Sequence, residues 1–146
     1  MSKVRASIMK SIVAALITLT IANTAVADSI LQHPLFGDWT WTRKVNNCTE
    51  VYSYQSDHTL KVTSGEEIGE SLFTISDEPD KNGFYRLTDE VTKNNGLTGC
   101  DGTGGGTPVG DKATNYVFIR PAGDQMVICQ ESSFSACFGP LKRIIK

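Results

Sequence analysis

The sequence predicts an all-β protein: an eight-stranded antiparallel up-and-down barrel over residues 28–146, preceded by an N-terminal signal helix over residues 1–27. Three observations lead to this. Short apolar runs recur at close, regular spacing and are split by turn residues, the pattern of an all-β meander, barrel or sandwich. One stretch, Leu35-Phe36-Gly37-Asp38-Trp39-Thr40-Trp41-Thr42-Arg43, is strongly amphipathic at a period of two, with Trp39, Trp41 and Arg43 on one face and Asp38, Thr40 and Thr42 on the other. No internal repeat and no linker divides the chain, and an eight-stranded meander hides its edges best by closing on itself.

The N-terminal segment has the order of a secretory signal peptide. Lys3, Arg5 and Lys10 come first, an apolar run from Ile12 to Ala22 follows, and Ala25-Val26-Ala27 precedes Asp28. Eleven residues are too few for a bilayer span, which needs about 20. The expectation is a periplasmic or secreted protein with no membrane contact after cleavage. From Asp28 onward, eleven basic side chains face 16 acidic ones, a net charge of −5. An acidic surface without a basic run excludes nucleic acid and anionic membrane as partners. It leaves a small apolar or amphipathic ligand, or a cationic protein.

The strands follow in order. After the tryptophan strand, the second runs from Asn47 to Gln55 with Glu50, Tyr52 and Tyr54 on one face, and turns at Ser56-Asp57-His58. The third covers Thr59 to Ser64 and stops at Gly65; the fourth covers Ile68 to Ser76 and stops at the turn cluster Asp77 to Gly83. The fifth is Phe84 to Thr92, with Tyr85, Leu87 and Val91 suited to the core and Phe84 and Arg86 left outside as a recognition patch. Lys93 to Lys112 is a loop holding seven glycines, a length that in compact domains usually carries function or mobility. Thr114 to Arg120, Gln125 to Glu131 and Cys137 to Ile145 complete the eight. Pro140 within the last implies an edge, a bulge or a lost ladder bond.

Cys48, Cys100, Cys129 and Cys137 all follow the leader, and an even count in an oxidising compartment favours two disulfides. If odd strands run up and even strands down, all four lie at one end of the barrel. The favoured pairs are Cys129 with Cys137, bridging a hairpin, and Cys48 with Cys100, tethering the glycine loop. Cys48 with Cys137 is the alternative. The loop-entropy relation assigns about 2.6 kcal/mol to the first bridge and about 4 kcal/mol to the second.

Leu35-Phe36-Gly37-Asp38-Trp39 resembles the L-x-G-x-W opening of lipocalin-like (calycin) barrels. Asp57-His58-Thr59-Leu60 with Ser64-Gly65-Glu66-Glu67 resembles the second hairpin of small bacterial lipocalin-like domains. The resemblance implies a barrel whose tryptophan closes the narrow end under a basic side chain of the last strand, for which Arg143 is placed. Ser64-Gly65 also resembles the start of the Ser-Gly-x-x-Tyr loop of periplasmic lysozyme-inhibitor barrels, although Ile68 stands where those have tyrosine.

Catalytic groups are not arranged for a reaction. There is no G-x-S-x-G, and His33 and His58 fall before a strand and in a turn, where solvent exposure is expected. The glycine loop lacks phosphate-binding patterns, and Asp101 and Asp111 lack the regular spacing of a calcium loop, so neither a cofactor nor a metal is expected. The expected function is therefore non-enzymatic binding at the disulfide-bearing end. Glu50, Tyr52, Tyr54, Arg86 and Trp41 are the candidate contacts, and a buried Glu50 would need Arg86, Arg43 or Arg120 as donor. The alternative is an inhibitor or immunity-type protein acting through its acidic surface and glycine loop.

Overall fold

A computed structural model describes residues 32–145. The expected signal segment, residues 1–27, lies outside the described residues. Eight strands follow in chain order: β1 (Gly37–Arg43), β2 (Cys48–Tyr54), β3 (Thr59–Ser64), β4 (Glu67–Ile75), β5 (Tyr85–Asn94), β6 (Lys112–Ile119), β7 (Gln125–Cys129) and β8 (Cys137–Arg143). Each pairs antiparallel with the next, and β8 pairs with β1 through Trp39↔Arg143 and Thr40↔Lys142, so the sheet is a closed barrel. Among the described residues no helix is long and apolar enough to cross a membrane.

Alternation decides which residues fill the interior. Trp39 faces Tyr52, Trp41 faces Glu50 and Gly37 faces Tyr54 across β1 and β2, so the two aromatic faces turn inward together. Leu35, Trp39, Tyr54, Leu60, Phe73, Leu87, Val117, Met126, Ile128 and Leu141 form the buried cluster. Ladder partners, rather than local sequence, set the strand ends. β5 continues to Asn94, two residues beyond the expected Thr92, because Lys93 and Asn94 pair with Glu70 and Gly69 past a register shift that leaves Thr92 of β5 as the extra residue. β7 stops at Cys129, where it meets Cys137. Opposite Pro140 the register of β7 and β8 shifts between Met126 and Ile128, and the Gly139–Pro140 peptide is cis, so the proline sits at the expected irregularity.

The N-terminal end of β1 is plugged by its own lead-in. Trp39 donates its indole N–H to Leu35 O at 2.8 Å, and the Arg143 guanidinium lies 4.1 Å over the Trp39 ring. Arg143 also donates to Phe36 O (2.8 Å), Gly123 O and Pro34 O, tying the lead-in to β1 and the β6–β7 turn to the end of β8. His33 belongs to this plug, against the expectation of a solvent-exposed ring. Its Nδ1 accepts the Leu35 N–H at 3.1 Å, so Nε2 carries the proton and donates it to Ser76 O at 3.1 Å. Burial holds its pKa below the ordinary value, against the opposing hydrogen bond to Ser76. His58 is exposed, as its turn position implies, with its ring against Phe73.

Phe84 departs from the expected recognition patch. It points outward, as its parity requires, yet is only 2 % exposed. The β7–β8 connection folds back over the outer wall and lays Phe134 against Phe84 and Phe118, with ring centroids 5.0 and 5.1 Å away. Asn82 bonds to Ser132 and Ser132 to Asp80, latching that connection to the turn before β5.

Candidate functional site

Both disulfides join as favoured from the sequence: Cys48 with Cys100, and Cys129 with Cys137. Two such bonds fit an oxidising, extracellular-type compartment. The first holds the glycine loop, residues 95–111, to the rim near the β1–β2 turn. Asn46 Nδ2 donates to Cys100 O at 2.6 Å, the Cys100 N–H donates to Ser64 Oγ at 2.9 Å, and the Glu66 N–H donates to Thr98 O at 3.0 Å. The closeness of this docking explains Gly99, where a Cβ would come within 2.6 Å of Glu67 Oε2. Gly106, at φ +59°, would likewise drive a Cβ into Asn94.

Under this rim the barrel mouth opens into a cavity of about 370 Å³. Its apolar wall comprises Leu60, Val62, Leu87, Val91, Ile128 and Phe138, and its polar wall includes Glu50, Tyr52, Ser64, Glu67, Asp89 and Asn115. Arg43, Asn94, Asp101 and Thr107 surround the end nearest the loop. Tyr54, Phe73 and Met126 fill the barrel below, all at most 2 % exposed. The interior is thus solid at the Trp39 end and hollow at the Cys100 end.

Glu50 is the centre of a polar network on this wall. Its Oε2 accepts the Tyr52 hydroxyl at 2.6 Å, its Oε1 accepts Ser64 Oγ at 3.1 Å, and Arg43 Nη1 lies 4.0 Å from Oε1. Because Ser64 also receives the Cys100 N–H, a chain of hydrogen bonds runs from the tethered loop to the buried carboxylate. Burial, reinforced by the bond to Glu50, raises the pKa of Tyr52 far above its ordinary value. Burial and then the charge of Asp89 do the same for Tyr54. Both phenols stay protonated, and Tyr52 donates its proton to Glu50.

Of the five candidate residues, Glu50, Tyr52 and Tyr54 line the cavity together. Trp41 is one layer behind, its ring tilted against Phe138 at 5.3 Å and under the Arg43 guanidinium at 5.8 Å. Arg86 does not join them: its position in β5 puts it on the outer face, exposed, and Arg43 is the basic side chain that Glu50 meets. Sequence reasoning passed over Asp89. It shares parity with Tyr85, Leu87 and Val91, which was the available signal, and it faces the cavity between its ladder partners Phe73 and Ala113. Burial raises its pKa, opposed only by a hydrogen bond with its own backbone. Among the described residues no three His, Cys, Asp or Glu side chains converge in a way that could hold a metal ion. No known protein family, no curated protein and no solved structure matches the chain.

Proposed function

We propose that the protein is an exported, non-enzymatic carrier of the lipocalin-like kind, which holds a small amphipathic molecule in the cavity beneath the tethered loop. The observation that carries this is the cavity itself. At about 370 Å³ it lies within the range of ligand sites, whose lower bound is ~300 Å³, and it combines an apolar wall with a few fixed polar groups. A barrel specialised for surface contacts alone would gain stability by filling this space with side chains. The resemblance of Leu35 to Trp39 to the lipocalin opening, and the seat of Arg143 over Trp39, support the same reading. Export rests on the residue order of 1–27, and N-terminal sequencing of the mature protein is expected to begin at Asp28.

The inhibitor or immunity-type reading is favoured by one observation, the exposure of Leu97 (50 %) and Val109 (66 %) on the glycine loop. Titration with the neutral fluorophore N-phenyl-1-naphthylamine separates the two. Saturable one-to-one binding, weakened at least tenfold by Val91→Trp at unchanged melting temperature, is the expected result. The absence of saturable binding, or full binding by the Trp variant, overturns the cavity reading.

A further inference from the structure

We propose that the occupant of the cavity is a small cation, an amphipathic amine whose ammonium group sits at Asp89 while its apolar body lies against Leu60, Leu87 and Ile128. This rests on the small-molecule reading above and names its chemistry. The lining carries four carboxylates, Glu50, Glu67, Asp89 and Asp101, against one cation, Arg43. Three of the four have donors of their own. Glu50 takes Tyr52 and Ser64, Glu67 takes Asn94 Nδ2 at 2.7 Å, and Asp101 takes Thr103. Asp89 has no such partner among the described side chains. It stands on an inward-facing position of β5, half-buried between the rows of Phe73 and Ala113, where a carboxylate is poorly solvated. Its raised pKa has desolvation as the largest cause, and no cation offsets it.

An incoming ammonium group supplies what this carboxylate lacks, whereas a carboxylate or phosphate ligand would add like charge to a concave acidic space. A cleft lined by one sign of charge within low-dielectric walls also concentrates ligands of the opposite sign. The apolar side chains that share the cavity with Asp89 require more than a bare ion.

Calorimetry at pH 7 and low salt with octylammonium, octanol and octanoate, which share one apolar body, tests the inference. Octylammonium is expected to bind at least tenfold tighter than octanol, with octanoate weakest. Asp89→Asn is expected to lose at least tenfold in affinity for octylammonium and less than twofold for octanol. Glu70→Gln, on the outer face where Lys93 pairs with Glu70, is expected to change neither. If octanol binds and the ammonium group adds nothing, or Asp89→Asn weakens all three alike, the cation inference falls and the cavity reading stands. If none of the three binds and N-phenyl-1-naphthylamine also fails, both fall.

Discussion

Replacing Cys48 and Cys100 together by serine separates what holds the glycine loop from what holds the barrel. The bridge closes 52 residues, for which the loop-entropy relation gives about 4 kcal/mol of stabilisation. That corresponds to a fall in melting temperature on the order of 10–15 °C for a domain of this size. At its centre the loop keeps three hydrogen bonds to or from the rim, through Asn46, Ser64 and Glu66, and its two ends add six more to Glu66, Ile68, Val91 and Asn94, worth about 1 kcal/mol each. Those are too few to order seventeen residues, 95–111, at about 1 kcal/mol or more apiece, with glycines adding to the entropy to be lost. The β-sheet circular dichroism of the variant should therefore persist at 25 °C, while deuterium uptake and protease cutting rise within residues 95–111. Loss of the Cys100 anchor also loosens the Ser64 link to Glu50, so binding to the cavity should weaken. The paired variant Cys129→Ser, Cys137→Ser serves as control. Its closure of 8 residues is worth about 2.6 kcal/mol, and it should leave exchange in the glycine loop unchanged. A loss below about 1 kcal/mol for the first variant, or a rise in exchange spread evenly over all eight strands, would refute the reasoning.

Glu50→Ala leaves the Tyr52 hydroxyl and Ser64 Oγ without their acceptor, and a loss of about 1–3 kcal/mol in urea denaturation at pH 7 is expected, with Glu50→Gln losing less. Asp89 is predicted to oppose folding at neutral pH. A carboxyl raised above 3.8 in the folded state favours the protonated form, so stability is highest below that value and declines as pH rises through the folded pKa. Asp89→Asn should accordingly raise the melting temperature at pH 7, and the gain should vanish below about pH 3.8; a constant gain across pH 3–7 contradicts the assignment. Phe134→Ala removes the ring covering Phe84 and Phe118 and should cost about 1–2 kcal/mol despite the 64 % exposure of Phe134, with an unchanged melt refuting a structural role for that cluster.

Local chemistry carried much of this fold. The alternation of Trp39, Trp41 and Arg43 against Asp38, Thr40 and Thr42 decides which face of the first strand turns inward. The glycine, asparagine and aspartate clusters decide where the chain turns. Both follow from backbone geometry that a residue senses within a few positions. The disulfide partners were legible for a related reason: up-and-down alternation puts all four cysteines, three at strand ends and Cys100 in the glycine loop, at the same end of the barrel. The Trp39–Arg143 stack was legible only through the family resemblance of the opening motif, since 104 positions separate the two residues.

Matters that depend on which surfaces meet were decided in three dimensions. Parity placed Phe84 outside, but only the folded-back β7–β8 connection made it a buried residue. The half-burial of His33 likewise needs residues distant in the chain, Ser76 just after β4 and Tyr85 of β5. Arg43 rather than Arg86 meets Glu50 because parity turns Arg43 inward beside it and sends Arg86 to the outer wall. The sequence by itself determined the class, the strand order and the inward face of each strand, all consequences of short-range periodicity. Whether the barrel interior was filled or hollow, and that Asp89 would stand in it with no side-chain partner among the described residues, depended on side-chain volumes and reach summed over eight strands, which only the closed barrel brings together.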